Sequence, residues 1–222
     1  MVIVEDHAMV AQALSAALTE EGLDVLDTVG TAQQAAEMMG REAPDVALID
    51  FRLPDGDGVE LAAAMKARRP ETQVLMLTAA DDREVLGRAI DAGVAGFVHK
   101  SEPIEEVVRA IRAVREGECW FRPGDLAKLV GRARRPVPTV GHDLTERERE
   151  VLALLGQGAS TQAMIETLVL SPHTVRNHVR NIMMKLGAHS KLEAVAIAAR
   201  AGIVSVGGGT SMPMAGATQP GR

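Results

Sequence analysis

The chain has 222 residues, a formal net charge of −6 and 46% hydrophobic residues, which is ordinary for a globular protein of one or two domains. No run of about 18 uncharged apolar residues occurs, so the sequence predicts no membrane-spanning helix and no membrane partner. Cys119 is the only cysteine, which excludes an internal disulfide and a cysteine metal cluster and favours a cytoplasmic protein. The N-terminus lacks the basic region and cleavage site of a signal peptide.

The two halves of the chain differ in charge. Residues 1–118 hold 23 acidic and 11 basic side chains, whereas residues 119–222 hold 7 acidic and 13 basic ones. This split predicts two units with different partners, a cation for the acidic half and a polyanion for the basic half. On charge alone, two merely solvated surfaces are the competing alternative.

Short apolar runs alternate with amphipathic segments throughout residues 1–118. Strands are predicted at 2–4, 23–29, 46–50, 73–78 and 96–100. Helices are predicted at 8–21, 31–42, 58–69, 83–92 and 104–116. This alternation predicts a flavodoxin-like, doubly wound α/β fold, with five parallel strands covered by helices on both faces.

Polar side chains stand at the carboxyl ends of four predicted strands: Glu5 with Asp6, Asp50, Thr78 and Lys100. Asp50 by itself could be a structural cap or a chemical group. Because these ends share one edge of a parallel sheet, we expect the side chains to meet there. Clustered carboxylates repel one another unless a hard cation such as Mg²⁺ binds. Asp50 could then attack a phosphoryl group while Lys100 neutralises charge on the phosphoryl oxygens. A Lys100 that only forms a salt bridge with an aspartate at this edge is the less favoured alternative.

These motifs resemble the response-regulator receiver domain over residues 1–118. The resemblance is carried by the acidic pair, by the acceptor and the loop after it, by a threonine–alanine pair, and by an aromatic residue three before a lysine. In this sequence they are Glu5-Asp6, Asp50, Leu53-Pro54-Asp55-Gly56-Asp57-Gly58, Thr78-Ala79, and Phe97 with Lys100.

The resemblance implies a metal-assisted phosphoacceptor. Asp50 would accept a phosphoryl group from a phosphohistidine on a sensor histidine kinase. Asp6 and Asp50 would bind Mg²⁺ directly, Glu5 mostly through water, and Arg52 through its backbone carbonyl. Glu5 stands where the family more often has aspartate, which keeps the charge.

The resemblance also implies a conformational switch. Thr78 would move toward the phosphoryl group while the Phe97 ring turns inward, and Lys100 would bind a phosphoryl oxygen. A buried Phe97 that only fills the core is the alternative. Ser101 follows Lys100, where many receivers have proline.

Residues 119–142 are predicted to be a linker, because residues 131–138 are basic and rich in proline. Trp120 and Phe121 are expected to pack on a domain face, and residues 124–130 to form a short helix. Residues 205–222 lack periodicity and are rich in Gly, Ser, Thr, Pro and Met, so they are predicted to be a disordered tail.

Residues 143–204 are predicted to be a small all-α domain of four helices. Thr145, Ser160, Ser171 and Ser190 are the expected N-caps, and Glu148 completes a capping box with Thr145. Two helices joined by a short turn within such a unit follow the helix-turn-helix plan.

The third of these helices has two distinct faces. Its apolar residues recur at a spacing of three to four: Val175, Val179, Ile182 and Leu186. On the other face, Arg176, Asn177 and Arg180 are predicted to reach base edges in the major groove. Thr174, Lys185 and Lys191 are predicted to contact phosphates. A basic but merely solvated face is the alternative.

This segment resembles the LuxR/NarL-type helix-turn-helix over residues 143–203. The matching stretches are residues 144–152, 158–160, 171–179, 185–188 and 193–194. The resemblance implies DNA binding as a homodimer. The fourth helix would form the dimer surface through Leu192, Val195, Ala196 and Ala199.

Together these patterns predict a transcriptional response regulator of a two-component system. Phosphorylation of Asp50 would control dimerisation and promoter binding. One rival is a phosphorylation-independent DNA-binding protein whose receiver only dimerises. An aspartate-nucleophile phosphatase would need a second carboxylate two residues after Asp50, where Arg52 stands, so no enzyme is predicted.

Overall fold

The computed structural model describes residues 1–79, 83–122, 124–125 and 141–204. The elements up to residue 122 form an α/β unit, and those from residue 141 form a helical unit. No helix within these described ranges has the length and apolarity that crossing a bilayer requires. The predicted tail at 205–222 and most of the predicted linker, with its short helix, lie outside the described residues.

The α/β unit is built on a five-stranded parallel sheet, as predicted. Its strands are β1 (Val2–Val4), β2 (Asp27–Val29), β3 (Val46–Asp50), β6 (Gln73–Thr78) and β7 (Gly96–His99), in the spatial order β2-β1-β3-β6-β7. β3 is central, and all five of its residues are buried. Covered on both faces, this strand needs an unbroken apolar run, which explains the sequence Val46-Ala47-Leu48-Ile49 before Asp50.

Helices cover both faces of the sheet. They are α1 (Ala8–Glu20), α2 (Ala32–Met38), α3 (Gly58–Arg68), α4 (Arg83–Asp91) and α5 (Ile104–Arg115). Alternate strand residues point to opposite faces. Ala47 and Ile49 therefore pack in the cluster that includes residues of α2, α3 and α4, whereas Leu48 packs with residues of α1 and α5.

Two predicted boundaries are wrong, and a small hairpin was not predicted. β2 begins only at Asp27, because the chain from Leu23 still closes α1 through a hydrogen bond from Leu23 N–H to the Leu18 carbonyl. α2 ends at Met38 rather than near residue 42. The hairpin pairs β4 (Arg52–Leu53) with β5 (Gly56–Asp57), directly after β3.

The chain that leaves α5 returns to the edge of the sheet. Trp120 lies beside β7: its N–H donates to the Ala95 carbonyl at 3.0 Å, and its carbonyl accepts from Phe97 N–H at 2.9 Å. Gly96 is required for this approach, since a Cβ there would lie 2.2 Å from the Trp120 carbonyl oxygen. Trp120 and Phe121 are both partly buried against the core, as predicted.

The helical unit contains four helices within residues 141–204: α6 (Glu146–Gly156), α7 (Thr161–Leu168), α8 (Pro172–Leu186) and α9 (Lys191–Arg200). Each begins at a side-chain N-cap, namely Thr145, Ser160, Ser171 and Ser190. The predicted capping box is present, because the Glu148 carboxylate also accepts from Thr145 N–H at 2.8 Å. α7 and α8 form the helix-turn-helix.

The turn between α7 and α8 contains a strained residue. Val169 has φ +53° and ψ +52°, the left-handed region that β-branched residues disfavour. Its side chain is 89% exposed, so apolar packing does not compensate for this conformation. The geometry of the turn, which sets the angle of α8, imposes the strain.

Candidate functional site

Three buried polar residues lie at the carboxyl edge of the sheet. Asp50 ends β3, Thr78 ends the neighbouring β6, and Glu5 directly follows β1 on the other side of β3. They are only 6%, 8% and 2% exposed. The structure thus brings together the side chains that the strand ends predicted.

Lys100 joins two of these carboxylates. Its Nζ lies 2.7 Å from Asp50 Oδ2 and 2.6 Å from Glu5 Oε2. Burial on its own would lower the pKa of Lys100, but hydrogen bonds and charge attraction from both carboxylates raise that pKa above its ordinary value. The ammonium therefore stays charged at neutral pH, beside the oxygen atoms of Asp50.

An acidic cluster surrounds this ion pair. Glu5, Asp6, His7 and Asp50 each offer one possible ligand atom, and these atoms lie within 4.8 Å of one another. Three carboxylates against the one charge of Lys100 leave the cluster net negative, as a cation site requires. The sequence did not point to His7. Its only signal was its place directly after the acidic pair.

The loop after Asp50 is held by its own acidic residues. Asp57 caps α3 by accepting from Val59 N–H at 2.7 Å, and it also pairs with Arg88 of α4 at 2.6 Å. Asp55 accepts from the N–H groups of Gln33 and Ala32 at the start of α2. These backbone hydrogen bonds, chiefly from Gln33, lower the pKa of Asp55. Both aspartates are structural.

Glycine is needed at position 58 because the loop passes close to the backbone of Asp50 there. A Cβ at Gly58 would lie only 2.0 Å from the Asp50 carbonyl oxygen. Its N–H donates instead to the Phe51 carbonyl at 3.0 Å. Any larger residue would displace the backbone of the residue that carries the candidate phosphoacceptor.

Phe97 lies inside the unit. It is 5% exposed, and its ring stacks on Phe51 with 6.3 Å between centroids and 10° between planes. Phe51 is the residue after Asp50, so the aromatic pair links β7 to the acceptor strand. Thr78 and Phe97 line one small cavity together with Arg122 and Asp125, from the chain beyond α5.

The outer face of α8 carries a connected polar row. The amide nitrogen of Asn177 lies 3.0 Å from His173 Nε2. The amide oxygen of Asn177 accepts a hydrogen bond from Arg180 at 3.3 Å. Arg176 and Arg180 are exposed, whereas Val175 and Val179 are buried. The predicted division of this helix into a core face and a polar face is present.

Lys185 is engaged within the helical unit. Its Nζ lies 2.6 Å from Glu148 Oε2 and 2.9 Å from the Asp143 carbonyl. Glu148 is buried, which would raise its pKa, but hydrogen bonds from Lys185 and Thr145 lower that pKa overall. A phosphate could therefore use only the remaining donor of Lys185, and its structural role was not predicted.

Two family profiles match these units. The response regulator receiver domain matches residues 1–112. The bacterial regulatory proteins of the luxR family match residues 142–198. The chain belongs to the LuxR-type two-component response regulators. It is thus a DNA-binding transcriptional regulator with a receiver domain and a helix-turn-helix domain.

Known regulators are similar over nearly the full length. The probable transcriptional regulatory protein NarL of Mycobacterium tuberculosis is 33% identical over 201 residues, covering 90% of this chain and 93% of NarL. The DNA-binding transcriptional activator DevR/DosR of the same species is 36% identical to this chain, and the match covers 88% of this chain and 92% of DevR/DosR. A structure of RcsB dimers bound to DNA is alike in fold, with 20% identity, a TM-score of 0.53, and coverage of 90% and 96%.

The receiver and helix-turn-helix domains contact each other through Glu118. Its Oε1 accepts from the N–H of Thr161, the first residue of α7, at 2.8 Å. Its Oε2 lies 3.5 Å from Nζ of Lys191, the first residue of α9. Lys191 is one of the predicted phosphate contacts, so Glu118 occupies part of the predicted DNA-contacting surface.

The predicted dimer surface is covered in this structure. α9 packs against α6 and α8 and also against α4 of the receiver, where Arg200 lies 3.6 Å from Asp91. Every residue predicted for that surface is buried: Leu192, Val195, Ala196 and Ala199. Val195 lies against Gly156 of α6, so it belongs to the core of its own domain and not to a free surface. Pairing of two chains through the side of α9 that faces α4 would need that side to be uncovered first.

Proposed function

We propose that Asp50 accepts a phosphoryl group from a sensor histidine kinase and that this modification controls dimerisation and promoter binding. The observation that carries the proposal is the position of Asp50. Its carboxylate ends the central strand, 2.7 Å from the Lys100 ammonium, in a net negative cluster. The kinase domain and the chromosome are both cytoplasmic, so this is the proposed location of the protein.

The transfer is a nucleophilic displacement at phosphorus. A carboxylate oxygen of Asp50 attacks the phosphorus of the phosphohistidine, so that an O–P bond forms while the N–P bond breaks. The leaving imidazole nitrogen keeps the electron pair and then takes a proton from solvent. Lys100 is placed to bind a phosphoryl oxygen, and the Thr78 hydroxyl to donate a hydrogen bond to another.

The acidic cluster suits Mg²⁺, because its donors are mainly carboxylate oxygens. Asp6, Asp50, Glu5 and the Arg52 backbone carbonyl would hold the ion. When bound, Mg²⁺ would neutralise charge on the phosphoryl oxygens. Arg52 leaves no carboxylate two residues after Asp50 for acid–base hydrolysis, so we propose a regulator rather than an enzyme that turns over an external substrate.

The output is proposed to be a change in how the two domains contact each other. Phosphorylated Asp50 would draw in Thr78, while the ring of Phe97, which the resemblance expected to turn inward, already lies inside the unit and would stay there. The resulting state would release Glu118 and uncover α9, which is a population shift between two arrangements. The freed surface of α9 would then pair two chains.

Within such a dimer, α8 would enter the major groove. Arg176 and Arg180 are exposed and Asn177 is half-buried on the outer face of α8, and these three side chains would meet base edges. Thr174 and Lys191, with the remaining donor of Lys185, would meet phosphates. Residues 119–142 are proposed to link the domains of residues 1–118 and 143–204.

The phosphoacceptor is tested by incubating the full chain with acetyl phosphate and Mg²⁺, followed by intact-mass measurement. One added phosphoryl group is expected, and Asp50→Asn should abolish it. Asp45→Asn, at an exposed aspartate before the same strand, is the matched control and should still be labelled. Labelling of Asp50→Asn would contradict the proposal.

The regulatory step is tested by DNA selection and gel-shift titration with and without beryllofluoride, which mimics the phosphoryl group. Tighter binding with beryllofluoride, accompanied by dimerisation in sedimentation, is expected. Equal DNA affinity in both states would favour the rival in which the receiver acts independently of phosphorylation.

A further inference from the structure

His173 and Asn177 lie next to each other on the outer face of α8. They are four positions apart, so their side chains meet on one face of the helix, and Arg180 follows three positions later. The amide nitrogen of Asn177 lies 3.0 Å from Nε2 of His173, and its amide oxygen lies 3.3 Å from Nη2 of Arg180. Asn177 therefore connects the first turn of this helix to its middle.

The chemistry of Arg180 fixes the direction in which the Asn177 amide points. A guanidinium only donates hydrogen bonds, so the amide atom that faces Arg180 must be the oxygen. The NH₂ group of the amide then faces His173. Because that group also only donates, Nε2 of His173 must be the acceptor. The proton of a neutral His173 ring is consequently on Nδ1.

These two contacts leave Asn177 able to bind a base. The amide nitrogen has two N–H groups and the amide oxygen has two lone pairs, so one donor and one acceptor remain after the contacts with His173 and Arg180. A donor beside an acceptor complements N7 and the N6 amino group of adenine. The observed orientation of the amide thus suits the recognition of adenine.

His173 is the partner that can keep this orientation on DNA. Arg180 is exposed, and in the proposed complex its guanidinium turns to a base edge. One of the two hydrogen bonds that hold the amide is then lost. His173 lies in the first turn of α8, and its Nε2 remains beside the amide nitrogen. An amide without a fixed neighbour can rotate by half a turn, which exchanges its donor and its acceptor.

We infer that His173 is a positioning residue for DNA recognition: as a hydrogen-bond acceptor, it fixes the Asn177 amide in the orientation that selects adenine. The inference rests on the proposed entry of α8 into the major groove and adds a residue that determines specificity there. His173 acts through Asn177 and needs no base contact of its own.

The first test determines the tautomer of His173 in the absence of DNA. In full-length protein labelled with ¹⁵N-histidine, NMR at about pH 8 should show the His173 proton on Nδ1 and an unprotonated Nε2. Free histidine favours the proton on Nε2, so the Nδ1 form is a signature of the contact. His173→Ala identifies the signal by its loss, and Asn177→Ala should return the proton to Nε2. A proton on Nε2 in the unmodified protein would overturn the inference.

The second test compares sequence preferences by selection from a random DNA library, using the full chain with Mg²⁺ and beryllofluoride. Asn177→Ala first identifies the base position at which adenine depends on Asn177. His173→Ala should lower the adenine preference at that position by about twofold to tenfold, the value of one hydrogen bond. His142→Ala, at an exposed histidine before α6, is the control and should change nothing. A uniform loss of affinity for all sequences, or a changed preference only at another position, would contradict the positioning role.

Two further substitutions separate hydrogen bonding from charge. His173→Gln retains an acceptor oxygen at the same helical spacing and should keep more of the adenine preference than His173→Ala does. His173→Lys can only donate, so it should lose the preference although its charge strengthens binding to DNA of any sequence. Equal preferences in His173→Gln and His173→Ala, or a full preference in His173→Lys, would refute the inference. Thermal unfolding checks that each exposed substitution leaves the fold intact.

The same selection separates this inference from the proposed function. If Asn177→Ala changes the selected sequence but His173→Ala does not, only the role of His173 fails. If neither Asn177→Ala nor Arg176→Ala changes the selected sequence, α8 does not read bases. The proposed recognition by α8 and the role of His173 are then both contradicted.

Discussion

Glu118, at the end of the receiver domain, lies 3.5 Å from Lys191, the first residue of α9 in the DNA-binding domain. The same carboxylate accepts a hydrogen bond from the N-terminal residue of α7. One side chain therefore contacts two helix starts of the DNA-binding domain.

Glu118→Ala should strengthen DNA binding by the unphosphorylated protein. Loss of the ion pair and of the hydrogen bond removes about 0.5–1.5 kcal/mol from the closed arrangement, which corresponds to about a twofold to tenfold gain in affinity. Fluorescence anisotropy with selected promoter DNA measures the change. Glu116→Ala, at an exposed acidic residue two positions earlier, is the control and should leave the affinity unchanged. Equal affinity for Glu118→Ala and Glu116→Ala would show that Glu118 does not restrain the domain.

Cys119 should report on the same contact. Burial raises the pKa of its thiol to about 11, despite the opposing charge of Lys191 across the domain contact, so little thiolate exists at pH 8. Adding beryllofluoride should raise the rate of iodoacetamide alkylation by about tenfold or more, because separation of the domains would expose the half-buried thiol to solvent. The protein has no other cysteine, so intact mass follows the reaction.

The alkylation rate of the urea-unfolded protein gives the upper limit for that experiment. A rate in the resting protein that already equals this limit would contradict the closed position of Cys119. A slow rate that beryllofluoride leaves unchanged would contradict its use as a reporter of separation.

Glu148→Gln should destabilise the DNA-binding domain in a pH-dependent way. Because the folded pKa of Glu148 is lowered, its stabilising effect is fully present above its ordinary value of 4.5 and is lost as the pH falls through the folded pKa. At pH 7, the substitution should cost about 1–2 kcal/mol through the weakened capping box and the lost ion pair with Lys185.

Thermal unfolding between pH 3 and pH 7 measures this dependence. The difference in Tm between Glu148→Gln and the unmodified protein should shrink as the pH falls below 4.5. Glu150→Gln, on the exposed side of α6, is the matched control. A Tm difference independent of pH would assign the loss to packing instead of charge.

Val169→Gly should stabilise the same domain. Glycine adopts the left-handed conformation without the steric cost that Val169 pays, about 1–2 kcal/mol, and the exposed valine side chain contributes little packing. The greater freedom of glycine in the unfolded chain offsets part of this, so a net gain of about 0.5–1 kcal/mol is expected in urea unfolding. Val169→Ala retains the left-handed strain and is the control. Destabilisation by Val169→Gly would show that the turn itself depends on the valine.

Much of the fold could be predicted because it follows from local patterns. The buried run before Asp50 and the capping box of Thr145 and Glu148 are short-range features, and both are present. The side chains at the strand ends could be predicted to lie close together, because the carboxyl ends of parallel strands lie at one edge of the sheet. The predicted start of β2 was wrong. Leu23 closes α1 through a backbone hydrogen bond, although the apolar pattern of this stretch favours a strand.

Long-range side-chain partners could not be predicted. The sequence pattern predicts Lys185 to be a phosphate contact, but its partner Glu148 lies 37 positions away on another helix. The contact of Glu118 with Thr161 depends on how two separately folded domains dock. His7 has no periodic signal, and only the fold shows that its ring faces the acidic cluster.

The backbone pairing of Trp120 with β7 gives the molecule a short mechanical linkage. Phe97 donates its N–H to the Trp120 carbonyl, so β7 is joined to the outgoing chain by a backbone hydrogen bond. Two residues before Trp120 stands Glu118, which holds the starts of α7 and α9. If phosphorylation shifts β7, the shift would reach Glu118 directly through the short chain between Trp120 and Glu118. A local movement of one strand would then be enough to open the contact of Glu118 with α7 and α9.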